Sequence, residues 1–199
     1  MHQADLRAPQ HRQSRRGLLL KIILGIAVLC AGTVLAMPLL LNNAHTRAGY
    51  AGWREAGVPG VGSFMLPEEW QLDGIPLSSY LPESLPVTLC GADAAVLAHG
   101  YLFPMGVTDA AFNAAAEAIA GTPLSEYRTG GGLTAVLAGR GGAFQSVNFF
   151  SDDQLLRKAH CLTLTNGNSA LYLWFPWCEG EAYQTLLAQA KAILWSVIF

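Results

Sequence analysis

The longest uninterrupted pattern in the chain is apolar. Residues 22–41 form a run of twenty without a charge, preceded by Arg7, Arg12, Arg15, Arg16 and Lys21. At about 1.5 Å per residue a helix of that length reaches about 30 Å, the hydrocarbon thickness of a bilayer, which predicts a transmembrane span. Past the run the pattern breaks into short segments. Residues 43–55 read as a short continuing helix, with Tyr50 and Trp53 suited to the headgroup region. Gly57-Val58-Pro59-Gly60-Val61-Gly62 has neither helical nor strand periodicity and reads as a linker. Ser63-Phe64-Met65-Leu66 predicts a strand that stops at Pro67, and the Pro-rich stretch from there to Pro86 predicts loop or edge structure.

Val87-Thr88-Leu89-Cys90 and Ala95-Val96-Leu97-Ala98 predict two strands. Residues 110–120 predict a helix, with Thr108 or Asp109 as N-cap and Gly121 and Pro123 as the stop. Its apolar face carries Phe112, Ala115, Ala116 and Ile119 at helical spacing. Residues 133–138 and 144–150 predict strands around a hairpin loop at Gly139-Arg140-Gly141-Gly142, while 152–159 predicts a short helix with Asp152-Asp153 at its N-cap. Next comes a hairpin, Leu162-Thr163-Leu164-Thr165 and Ala170-Leu171-Tyr172-Leu173-Trp174, joined by Asn166-Gly167-Asn168-Ser169. In this register Thr165 faces Ala170 and Cys161 faces Trp174. Residues 181–197 close the chain as a helix with Ala182, Leu186, Ala190, Ile193 and Val197 on one stripe, widened by Leu187 and Leu194. Strands joined by hairpins and interrupted by few helices predict an α+β fold with a mainly antiparallel sheet.

Charge gives the apolar run a direction. Up to Ala44 the chain has five Lys/Arg and one acidic residue, whereas from His45 onward it has seven Lys/Arg and thirteen Asp/Glu. The basic side belongs in the cytoplasm, so the expected topology is a bacterial inner-membrane protein with its C-terminal domain in the periplasm. The expected organisation is a basic cytoplasmic segment at 1–21, a signal-anchor helix at 22–41, a stem and linker at 42–62, and a periplasmic domain at 63–199. A cleaved signal is the alternative, with small residues at Val34-Leu35-Ala36, but twenty apolar residues exceed the usual secretory core of about 7–15. Ser14-Arg15-Arg16-Gly17-Leu18-Leu19 also looks like a twin-arginine signal with Leu in place of Phe; paired arginines arise as ordinary positive-inside residues too. Leu29 before Cys30 argues against lipidation. An exported part of net charge −6 repels phosphate backbones, so nucleic acid is not an expected partner.

Candidate chemistry is sparse. Cys90, Cys161 and Cys178 lie in the exported part, where disulfides are permitted. In the hairpin register Cys178 falls about 13 Å beyond the residue opposite Cys161, so that pair bridges only if the chain bends back at Pro176. Cys90 with either partner is equally open, as are buried free thiols. His160 and Cys161 are strand neighbours pointing to opposite faces and make no dyad, whereas His99 meeting Cys161 across the fold would be an enzyme's signature. No metal-ligand spacing is present. Gly130-Gly131-Gly132 lacks a phosphate-loop pattern and reads as turn glycine. The most unusual cluster is Tyr172-Leu173-Trp174-Phe175-Pro176-Trp177. Tyr172 and Trp174 share one face, Leu173 and Phe175 the other, and Trp177 at the bend is the candidate for exposure. Tyr172, Trp174 and Trp177 are therefore the candidate binding residues, against a reading in which the strand aromatics are core.

Two stretches resemble a known family. Phe64-Met65-Leu66-Pro67-Glu68-Glu69-Trp70 resembles the strand-Pro-x-x-Trp opening of PsbP-like domains, a group that includes bacterial DcrB-like exported proteins. The closing strand 170–175 and helix 183–199, ending Ser196-Val197-Ile198-Phe199, resemble their last strand and helix. The resemblance implies a sheet flanked by helices and a binding or accessory role without catalysis, and it carries over no site residues; with no cofactor motif among the residues, no cofactor is expected. The expectation is thus a membrane-anchored, non-catalytic envelope protein with an envelope protein as partner. An immunity protein against a periplasmic toxin, marked by an acidic cleft, and a Cys/His-dependent enzyme are the alternatives.

Overall fold

The computed structural model describes residues 50–75, 81–137 and 140–197. The basic segment and the span expected at 22–41 lie outside the described residues. Among the described residues no helix is long and apolar enough to cross a membrane.

The chain enters as a hairpin rather than a linker. β1 (Trp53–Val58) pairs antiparallel with β2 (Gly62–Pro67), Trp53 opposite Pro67 and Val58 opposite Gly62. Of the stretch that read as a linker, Pro59, Gly60 and Val61 make its turn and Gly57 and Gly62 lie in its strands. Gly60 has φ +77, and a Cβ there would press on the Ser169 side chain. Val58 and Val61 on either side are buried, so the expected helix at 43–55 gives way, from Trp53, to a strand that helps cover the core.

β3 (Gln71–Asp73), β4 (Leu85–Cys90), β5 (Val96–Phe103), β6 (Glu126–Leu137), β7 (Arg140–Ser151), β8 (Gln154–Asn166) and β9 (Ser169–Pro176) form one sheet in the order β3-β4-β5-β9-β8-β7-β6. Every pairing is antiparallel. The expected β8–β9 register holds, with Thr165 opposite Ala170 and Cys161 opposite Trp174. Two helices complete an α+β fold. α1 (Asp109–Ala120) starts at Thr108, whose side chain accepts from Ala111 N, and stops at Gly121 in the left-handed region. α2 is Glu181–Ser196.

Three local expectations change. Residues 154–159 are strand, because Asp152 (φ 49) and Asp153 (φ 63) are both left-handed and form the two-residue turn of a hairpin that pairs Ser151 with Gln154. Asp tolerates that conformation, so the pair turns the chain instead of capping a helix. Gly130–Gly132 is not a turn but lies inside β6 at a bulge between Thr129 and Gly132, where a Cβ on Gly132 would fall on the Phe144 carbonyl. On α2 the buried stripe runs through Tyr183, Leu187, Ala190 and Ile193, and Ala182 is exposed. The helix is turned because Tyr183 packs inward, its Oη 3.0 Å from His160 Nδ1.

The main core lies between one sheet face and a cover made of α2 and the β1–β2 hairpin. Leu102, Phe144, Leu162, Leu164, Leu171, Leu173 and Phe175 point into it from the sheet, and Phe64, Leu66, Leu187 and Ile193 from the cover. Trp70, three residues past Pro67, is buried there too. Ser196 fixes the end of α2: its hydroxyl donates to Ile193 O at 2.8 Å and accepts from Met65 N at 2.9 Å.

Candidate functional site

The opposite sheet face is covered by α1, and α1 is too small for it. Twelve residues of helix reach about 18 Å, whereas the thirteen residues of β8 reach about 43 Å. Ala116, Val147, Phe149, Ala159, Cys161 and Trp174 form a second, smaller core beneath the helix. Where α1 ends its cover, the strand composition changes. On β8 the residues facing this side go from Ala159 and Cys161 to Thr163 and Thr165, while Leu162 and Leu164 between them stay in the main core. Side chains that tolerate water stand where no helix excludes it.

The uncovered floor and the 105–109 segment leading into α1 enclose an open groove. One part, of about 920 Å³, lies among Glu83, Met105, Val107, Thr165, Asn168 and Tyr172. An adjoining part of about 370 Å³ shares Val107 and Tyr172 and reaches Gln145, Thr129 and Thr163. A hydrogen bond from Thr108 Oγ1 to Glu83 Oε1, at 3.2 Å, ties the loop before β4 to the start of α1 and so fixes this wall. Met105 stands 76% exposed on the rim. Among the described lining residues the charged side chains are Glu83 and Asp109, both acidic and both exposed.

Hydrogen bonds tie the groove floor together. Trp174 Nε1 donates to Tyr127 Oη at 3.1 Å, and Cys161 Sγ lies 3.7 Å from Thr163 Oγ1. Burial pushes the Cys161 thiol up to about 12 and raises Tyr127 and Tyr172 as well. A thiol so held keeps its proton at neutral pH and is a poor nucleophile. His99 and Cys161 both pair with Trp174, from opposite sides. Two strand spacings, about 10 Å, therefore separate them, and His99 is exposed. The structure does not bring together the dyad that an enzyme reading requires.

The residues singled out from sequence fall in different places. Trp174 is 1% exposed and belongs to the core under α1, so it supports the floor without presenting a surface. Tyr172 is partly buried and lines both parts of the groove. Its ring stacks on Trp174 at 5.6 Å and 16°, and meets Phe112 edge-on at 5.2 Å. Trp177 is 50% exposed on the other side of the sheet, stacked on His160 at 5.4 Å and 17°, with its backbone N–H bonded to Lys158 O. Cys90 and Cys161 are buried thiols and Cys178 an exposed one, all three free. Among the described residues no group of His, Cys, Asp or Glu is placed to hold a metal. Sequence reasoning missed the groove residues Glu83, Thr163, Thr165 and Gln145. The available signal was the Leu-Thr alternation at 162–165, which marks a strand with one wet face.

Fold and site together define an α+β domain, a mainly antiparallel sheet with helices on both faces and an open groove beside one of them. No family model matches the chain, and no curated protein matches it. Among solved structures it is similar to the solution structure of cyanobacterial PsbP (CyanoP) from Synechocystis sp. PCC 6803, with 12% identity, 76% of this chain and 96% of that one covered, and a TM-score of 0.44.

Proposed function

We propose that the protein is a membrane-anchored, non-catalytic binding or accessory protein of the bacterial envelope, of PsbP-like or DcrB-like kind, that presents its groove in the periplasm. The observation that carries the binding part is the groove beside α1, an open cleft of about 920 Å³ whose adjoining floor holds Cys161 as a protonated thiol out of reach of His99. Concave sites of this size serve ligand recognition. Support for the anchor comes from the basic-then-apolar step at residues 7–41 and the acidic balance after it. The acidic rim of Glu83 and Asp109 favours one second reading of the same class, an immunity protein that covers a basic toxin.

Anchor and topology are tested together. A C-terminally tagged copy is expected in alkali-washed membranes at full-length mass, with its tag removed by protease added to spheroplasts. A soluble chain shortened by about 36 residues overturns the anchor, and a tag protected until lysis overturns the periplasmic placement. The binding role is tested by photocrosslinking in cells from Thr163 in the groove and from exposed Gln184 on α2. A discrete adduct from Thr163 alone is expected, and equal or absent labelling at both sites argues against it.

A further inference from the structure

We infer that the groove beside α1 takes an extended, cationic segment of a partner protein, about six residues long, carrying Lys or Arg next to an apolar side chain. The inference rests on the binding role proposed above and names the ligand's class.

Charge is the first argument. Among the described residues that line the two parts of the groove, the ionised side chains are Glu83 and Asp109. An anionic ligand would meet two like charges without a counter-charge. Glu83 already accepts from Thr108 through Oε1, which orients the carboxylate and leaves Oε2 for an incoming ammonium or guanidinium. The rim is the second argument. Met105 is 76% exposed and Val107 37%, both on the wall that carries Asp109 at its end. A flexible thioether beside a carboxylate suits an apolar residue adjacent to a basic one.

The floor gives the third argument. Tyr172, Thr163 and Ala143 stand opposite one another on β9, β8 and β7, and Cys161 and Gln145 do so one row along. Thr129 on β6 pairs with Val147, two rows along from Tyr172. From Tyr172 the floor therefore runs three strand spacings across, about 14 Å, and about 13 Å along the strands, a diagonal of about 20 Å, the length of about six extended residues. Thr163, Gln145 and Thr129 offer donors and acceptors at intervals along that line, as main-chain amides require. A sugar chain fits less well. The aromatic rings that line the groove are Tyr172, Phe112 and Tyr127, and each is packed on others, Tyr172 on Trp174, Phe112 and Phe103 and Tyr127 on Phe112 and Phe149, so none offers a free platform to a pyranose.

The test uses the full chain in zwitterionic phosphatidylcholine nanodiscs, with empty discs as blank. Three probes are titrated: a fluorescein-labelled hexapeptide of alternating lysine and leucine, its glutamate-leucine counterpart, and chitotriose. The variants are Glu83→Gln with Asp109→Asn, which preserve shape, and Thr163→Trp, which fills the groove and is checked for an unchanged melting profile. The lysine peptide is expected to bind and the glutamate peptide not. Binding is expected to weaken about threefold for each lost carboxylate, about tenfold together, to fall with salt and to disappear in Thr163→Trp. Equal binding of the two peptides, a double amide variant that binds like the parent, or chitotriose binding that Thr163→Trp abolishes overturns the cationic class while leaving the groove as a binding site. Lysine-peptide binding that survives Thr163→Trp, or no binding by any probe, overturns both.

Discussion

The two faces of the sheet are built from alternate residues of the same strands, yet one is sealed and the other is not. Under α2 and the β1–β2 hairpin, β5, β7, β8 and β9 present Leu102, Phe144, Leu162, Leu164, Leu171 and Phe175, all buried. Under α1 the same strands present Tyr101, Gln145, Thr163, Thr165 and Tyr172, partly buried or lining the groove. The difference follows from the covers. A sixteen-residue helix plus a hairpin closes one face, while a twelve-residue helix alone leaves part of the other to solvent. Stability is therefore concentrated on one face, and the opposite face is free to vary toward recognition.

The comparison breaks most readily at the groove floor. Because the small core under α1 is closed even though the face is open beside it, Cys161 should resist a soluble thiol reagent at pH 7.5 about a thousandfold better than exposed Cys178, since burial and a thiol pushed up to about 12 both withhold the thiolate. Mass spectrometry of the labelled sites reads the ratio, and comparable rates would mean that the face is open to its core. The faces are weighed directly on neighbouring residues of β8. Leu164→Ala should cost about 3 kcal/mol in urea unfolding, and Thr163→Ala less than about 0.5 kcal/mol. Equal costs would end the distinction.

A smaller effect probes how the sealed face is fastened. Ser196→Ala removes the acceptor of Met65 N–H in a fully buried place, which should cost about 1–2 kcal/mol. Ser196→Thr, which retains the hydroxyl, should recover part of it if crowding allows. An alanine variant as stable as the parent would show that the last turn of α2 is not held by this bond.

Much of this architecture is legible in the residues because it is local. The caps of α1 at Thr108 and Gly121, and the β8–β9 register set by Gly167 and Asn168, depend on neighbours a few positions away. The misread stretches share one cause, since hairpin chemistry looks like other punctuation. Pro59-Gly60 resembles a linker until Val58 and Val61 are seen to bury, and Asp152-Asp153 resembles a helix cap until both take positive φ. The groove was not legible for a different reason. It joins a loop at 81–83, a rim at 105–109 and strand residues from 129 to 172, and the short α1 that leaves it open matters only beside the length of β8. Trp174 was a reasonable binding candidate by type, and register against Cys161 placed it under a helix instead.

The faintest expected effect lies at the margin of the sealed face, where His160 stacks between Phe144 (5.5 Å) and half-exposed Trp177 (5.4 Å). Burial, and next the charge of Lys191, lower the imidazole below its ordinary value of 6.5. The unfolded chain thus takes up this proton more readily than the folded one. Stability should begin to fall as pH drops below about 6.5 and stop falling below the depressed value, while no change is expected from this group above neutrality. The contribution is small because the ring is only partly buried, so the sharper readout is optical. Protonation should quench Trp177, measured as the emission difference between the parent and Trp177→Phe, with a midpoint below 6.5. Lys191→Gln should move that midpoint upward by removing a repelling charge. A midpoint at or above 6.5 in the parent would mean that Phe144 and Trp177 stabilise the imidazolium from their ring faces more than burial and Lys191 oppose it, and the edge of the sealed face would then be wetter than its packing implies.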